Sequence, residues 1–157
     1  MLFIIILNLF ILTALGVYVL DKYKDKKLIS FQQSLDLTNL PVITAYTENL
    51  GKINLLIDTG ASVCCINSKY HDSLSLINFN ADVSTAGNNV YVNNCTVLSL
   101  DIQGKKVVDT FILMDMEYQF NEIKNETGVT IHGIIGTSLM TKYKYIIDFN
   151  KSCFYAK

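Results

Sequence analysis

From residue 41 onward, short runs of β-branched and aromatic residues alternate with clusters of Asn and Gly, the texture of strands separated by turns. Residues 42–46 and 53–57 read as a hairpin around Asn49 and Gly51, and residues 63–66 as a third strand. Residues 83–86 and 90–97 flank Gly87-Asn88-Asn89, whose residues tolerate positive φ and suit a tight turn. Residues 97–102 and 107–114 flank Gly104-Lys105 in the same way, and runs at 131–135, 145–149 and 153–155 complete the strand candidates. A short helix is predicted over residues 68–74, capped by Asn67 or Ser68. Residues 115–130 show no clear period and read as a surface loop. Many short strands with regular turn signals predict an all-β sandwich or barrel with one or two short helices.

The first twenty residues have a different texture. Residues 1–20 carry no charged side chain before Asp21, and a helix of about 20 apolar residues spans the hydrocarbon core of a bilayer. A secretory signal peptide has a basic start and a shorter apolar stretch, so an uncleaved signal anchor fits better. Asn8 within this run is a single polar residue of a kind that membrane helices tolerate. Lys22, Lys24, Lys26 and Lys27 follow at once, and retention of Lys on the cytoplasmic side sets orientation. The expectation is a single-pass membrane protein with its C-terminal domain in the cytoplasm. Residues 21–40 then form a polar juxtamembrane linker with room for a helical turn or two, and residues 41–157 form the folded domain.

Composition narrows the function. A chain of 157 residues suits one modest domain and excludes a two-lobed enzyme of twice the size. Its 13 basic residues, all Lys, against 14 Asp plus Glu argue against a nucleic-acid partner, which requires a concentrated basic face. One Pro and no Trp, with no long polar tract, leave little room for extended disorder. Cys64 and Cys65 are adjacent while Cys95 and Cys153 stand alone, which is neither a disulfide framework nor a zinc spacing. No His or helix start near Cys64 and Cys65 lowers a thiol pKa, so they read as strand fillers. His71 and His132 are far apart without ligand spacing, so neither a metal nor another cofactor is expected. The glycosylation triplets at Asn94 and Asn125 are of a kind that arises by chance.

The candidate chemistry lies at Asp58. The apolar run Leu55-Leu56-Ile57 leads directly into Asp58-Thr59-Gly60-Ala61-Ser62, and a carboxylate at the end of a buried strand is costly unless it is paired or hydrogen-bonded. The bland alternative is that Asp58 opens an ordinary turn, since Asp and Gly are common turn residues. The wider pattern favours chemistry. LLIDTGASVCCI resembles the active-site strand and loop of the retropepsin-like aspartic proteases. Downstream, IHGIIGTSLM is similar to that family's second signature, with Ile134-Ile135-Gly136 at its core. VSTAGNNVYV resembles the flap hairpin, and KYIIDFNKSC the last hairpin. These landmarks occur in family order across residues 42–155.

The resemblance implies a closed retropepsin-like barrel, one lobe per chain, and an aspartic endopeptidase. It implies that Asp58 is one member of a dyad in which two carboxylates share one proton, activate water and protonate the leaving amine. Asp115 and Asp148 lack the Asp-Thr-Gly motif, so the second carboxylate is expected from another copy of the chain in a two-fold homodimer. By the same resemblance Thr59 braces the two loops across the dimer axis, Gly60 permits close backbone approach, and Ser62 bonds the outer oxygen of Asp58, with Ala61 in the same loop. Ala86, Gly87, Asn88 and Asn89 would fold over bound peptide. Ile134, Ile135 and Gly136 would pack behind the loop. The Asn-Asn tip is poorer in Gly than many flaps of this family. Two other readings are a catalytically silent module that keeps the fold for dimerisation or peptide binding, and an unrelated anchored β-domain with an incidental Asp-Thr-Gly.

Overall fold

Alternation of buried and exposed side chains builds the strands of the computed structural model, which describes residues 28–84 and 89–156. Along the described chain these are β1 (Ile29–Ser30), β2 (Val42–Thr47), β3 (Gly51–Ile57), β4 (Cys64–Asn67), β5 (Leu76–Ser84), β6 (Asn89–Ile102), β7 (Lys105–Met114), β8 (Gly133–Ile135), β9 (Tyr145–Asp148) and β10 (Cys153–Ala156). Helix α1 (Gln32–Thr38) follows β1, α2 (Glu117–Thr127) lies between β7 and β8, and α3 (Thr137–Lys142) follows β8. A 3₁₀ turn at Ser68–Ser73 follows β4, and the Asn67 side chain caps it by accepting from Lys69 N–H.

The order β2-β3-β8-β4-β7-β6 closes on itself through the pairing of Tyr46 with Asp101, giving a six-stranded barrel, and β5 extends it beyond β6. Closure of this kind removes the open edges of the ring. The chain is thus an all-β closed barrel with few helices. A small separate sheet has the order β1-β10-β9. Ile43, Ile53, Leu55, Ile66, Leu100, Ile102, Phe111 and Ile135 are fully buried in the main core, and Phe31 and Phe154 join it from the small sheet's side. A second core of Val42, Cys65, Val92, Cys95, Ile112, Met116, Phe120 and Ile131 lies against α2.

Three stretches differ from their sequence reading. Residues 115–130 hold α2 rather than a surface loop: Met116, Phe120 and Ile123 share one face at helical spacing and pack on the second core, while the intervening Glu, Gln and Asn mask the period. Gly128 ends this helix at φ 76, its N–H bonding Lys124 O, a stop signal that favours glycine. The stretch read as linker contains β1 and α1, and its Ile29 and Phe31 are buried, so the folded unit reaches back at least to Ile29. Strand β5 also begins at Leu76, earlier than expected, and Ile77, Phe79, Ala81 and Val83 alternate along it with polar residues at strand spacing. Among the described residues no helix is long and apolar enough to cross a membrane. The proposed span 1–20 and residues 21–27 lie outside the described residues.

Candidate active site

Strand β8 inserts between β3 and β4, so both ends of the Asp58 loop flank it. It runs parallel to β3, pairing Leu55 with Gly133 and Ile57 with Ile135, and antiparallel to β4, pairing Cys65 with Ile134. The strands approach so closely at Gly133 that a Cβ would collide with Cys65 O. Ile57 is buried, and the next residue, Asp58, emerges half-buried at the end of β3. Its N–H donates to Ile135 O at 3.1 Å, and its carbonyl accepts from Ala61 N–H at 3.3 Å. Gly60 N–H donates to Asp58 Oδ1 at 2.8 Å, which fixes the carboxylate against its own turn. A Cβ on Gly60 would sit 3.1 Å from that oxygen. Thr59, Gly60 and Ser62 are exposed.

The segment after β8 supports this loop from behind. Ile135 is fully buried, whereas Ile134 is half-buried on the second core beside Leu56 and Val63. Gly136 is buried where a Cβ would collide with Val63 O and stand 2.9 Å from Ala61 O. Gly136 N–H points at Cys64 Sγ, 3.4 Å away. Helix α3 has no side-chain cap of its own. Its first donors go to the loop: Thr137 N–H reaches Ala61 O at 2.8 Å and Ser138 N–H reaches Ser62 O at 3.1 Å. The Thr137 hydroxyl lies 3.2 Å from Ala61 O and 3.4 Å from Ser62 O.

The structure therefore brings Asp58, Gly60 and Ala61 together with Ile135 and Gly136. The bond from Ser62 to the outer oxygen of Asp58, implied by resemblance, is absent among the described residues. Instead the Ser62 carbonyl, not its side chain, takes part in holding the loop. Ala86, Gly87 and Asn88 lie outside the described residues, while Asn89 begins β6 opposite Ser84. Asp115 and Asp148 are engaged elsewhere: Asp115 Oδ1 accepts from Glu117 N–H at the start of α2, and Asp148 Oδ1 from Lys151 N–H in the β9–β10 turn.

Sequence reading missed Thr137 and Asp109, and weighed His132 only as a metal ligand. Thr137 directly follows Gly136, and its hydroxyl was the available signal. Burial pushes the Cys64 thiol up, and pushes Cys65 up to about 12 with help from the neighbouring charges of Cys64 and Asp58, so both stay protonated near neutral pH. Cys64 sits 3.9 Å from Asp109, which pairs with Lys142 of α3 at 3.3 Å. His132 is held below the usual histidine range by burial and by the Lys69 charge. Its Nδ1 accepts from Asn54 N–H at 3.1 Å, and its ring stacks on Tyr70.

Residues 43–139 match the family described as aspartyl protease. No curated protein sequence matches the chain. Among solved structures, the retroviral protease-like domain of Ddi1 from Leishmania major is similar over 75% of this chain and 88% of that one, at 11% identity and a TM-score of 0.54. The EIAV protease, solved with the inhibitor HBY-793, is similar over 66% of this chain and 86% of that one, at 16% identity and a TM-score of 0.49. At these identities the Ddi1 match speaks to fold alone, and it agrees with the closed barrel.

Proposed function

The chain belongs to the aspartyl protease family, and on that premise we propose that it is a membrane-anchored, homodimeric aspartic endopeptidase. The observation that carries the reading is Asp58 at the mouth of the β3 loop, its Oδ1 bonded by Gly60 N–H and its backbone tied to Ile135. One such carboxylate per chain makes half a dyad. An isologous pairing of two chains about the exposed Thr59-Gly60 turn supplies the other half.

In that dimer the two Asp58 carboxyls share one proton, because two like charges in contact resist ionising together. The ionised carboxylate takes a proton from water, whose oxygen attacks the peptide carbonyl carbon. The protonated carboxyl stabilises the developing oxyanion, and a proton passes to the leaving amine as the C–N bond breaks. One water and one peptide bond yield one carboxyl and one amine terminus, and the dyad returns to its starting protonation. The apolar run at 1–20 and the lysines after it support a single membrane crossing with the protease domain in the cytoplasm.

Asp58→Asn keeps the size of the side chain and removes its ability to hold the shared proton. Cleavage of a peptide library should fall to background while the circular dichroism spectrum stays unchanged. Unchanged cleavage would remove Asp58 from the chemistry. A wild-type chain that binds peptides yet cleaves none between pH 4 and 7 (roughly the working range of a carboxylate dyad) would leave the silent binding module as the reading.

A further inference from the structure

We propose that the Thr137 hydroxyl is a latch that positions the Asp58 carboxylate by clamping two successive carbonyls of its loop. The inference deepens the proteolytic reading and rests on it for its kinetic arm. Thr137 does not touch Asp58, so it is a positioning residue.

Four observations combine. Gly136 brings the chain so close to the loop that a Cβ would strike Val63 O, which places the next residue directly against the carbonyls of Ala61 and Ser62. Helix α3 starts without a side-chain cap, so its first N–H groups need acceptors, and the loop provides them at 2.8 Å and 3.1 Å. The hydroxyl of Thr137 lies between those same two acceptors, 3.2 Å from Ala61 O and 3.4 Å from Ser62 O. Its one proton can turn to either carbonyl, so a single side chain braces two consecutive peptide planes. Ala61, whose carbonyl the hydroxyl meets, returns its own N–H to Asp58 O through the neighbouring peptide plane, and the residue before it, Gly60, holds Asp58 Oδ1. The path from latch to carboxylate is therefore continuous and short. The hydroxyl adds a single donor within reach of both carbonyls, whereas each backbone N–H meets only one.

Removal of the hydroxyl leaves both carbonyls with a backbone donor, so Thr137→Val should fold. Thr137→Ser keeps the hydroxyl and serves as the conservative control. The first measurement is amide hydrogen exchange on the full-length chain in detergent, read at Gly60 and Ala61 and compared with β6 and β7. Thr137→Val should speed exchange at Gly60 and Ala61 about tenfold with β6 and β7 unchanged, and Thr137→Ser should stay near wild type. The second is steady-state cleavage, where Thr137→Val should lower kcat about tenfold with KM within a factor of about two, and Thr137→Ser should recover most of it. Unchanged exchange at Gly60 in Thr137→Val would overturn the latch, as would a Thr137→Ser chain that behaves like Thr137→Val. A wild-type chain that cleaves nothing would defeat the proteolytic reading instead, and the exchange comparison would still decide the role of Thr137.

Discussion

Gly136 occupies a point where a single carbon has no room, between Val63 O on one side and Ala61 O at 2.9 Å on another. Both obstacles are backbone atoms of the Asp58 loop, which the N–H groups of Thr137 and Ser138 hold in place. Gly136→Ala should therefore lower stability by about 3 kcal/mol or more, read from urea unfolding, and an unchanged midpoint would contradict the packing described. His132 makes a second residue-scale prediction. Its Nδ1 accepts a backbone N–H, a bond that protonation of that nitrogen would break, and burial and the Lys69 charge hold its pKa below the usual value. Tyr70 stacks on the ring, and Glu117 draws the Lys69 ammonium through a 3.0 Å pair. The unfolded chain thus binds this proton more readily than the folded one. The histidine contribution is complete above pH ~6.5 and is lost as pH falls below it, at up to about 1.4 kcal/mol per pH unit. His132→Gln should flatten that part of the pH–stability curve, and an identical slope in the variant would exclude the histidine. Residue chemistry was partly legible in sequence. Asp58 stood out because a carboxylate ended an apolar run, whereas His132 did not, since its Asn54 partner is brought to it only by strand pairing.

At the scale of elements, α2 is the instructive case. Phe120 is buried in the second core while Tyr118, on the opposite side of the helix, is exposed. Phe120→Ala should cost about 3–5 kcal/mol by thermal or urea unfolding, and Tyr118→Ala should stay within about 0.5 kcal/mol. Equal effects of the two substitutions would mean that α2 does not pack as described. The strands at 42–46, 53–57 and 107–114 were legible as short apolar, largely β-branched runs between turn residues, and Val42, Ile112 and Met114 face the second core while Ile43, Phe111 and Leu113 face the first. Helix α2 was hidden because its buried stripe is narrow, carried by Met116, Phe120 and Ile123 among polar residues. The insertion of β8 between β3 and β4 was beyond local pattern altogether. It depends on a strand of three residues meeting partners far away in sequence, with Gly133 and Gly136 as its only local trace.

At the scale of the whole molecule, the closed barrel presents the Asp58 turn on its surface and leaves Thr59, Gly60 and Ser62 uncovered. A partner chain in the proposed dimer would cover that turn and bring a second Asp58 against the first. Chains anchored in one membrane meet at a higher effective concentration than free ones, so anchoring favours the dimer. The most direct measurement mixes wild-type chains with Asp58→Asn chains, lets subunits exchange, and follows cleavage per wild-type chain. With one carboxylate from each subunit, a mixed dimer is inactive, so activity per wild-type chain should fall to about half in an equal mixture and approach background as the variant is raised to large excess. Activity per wild-type chain that stays constant at every ratio would show that each chain carries a complete site, and would contradict the shared dyad.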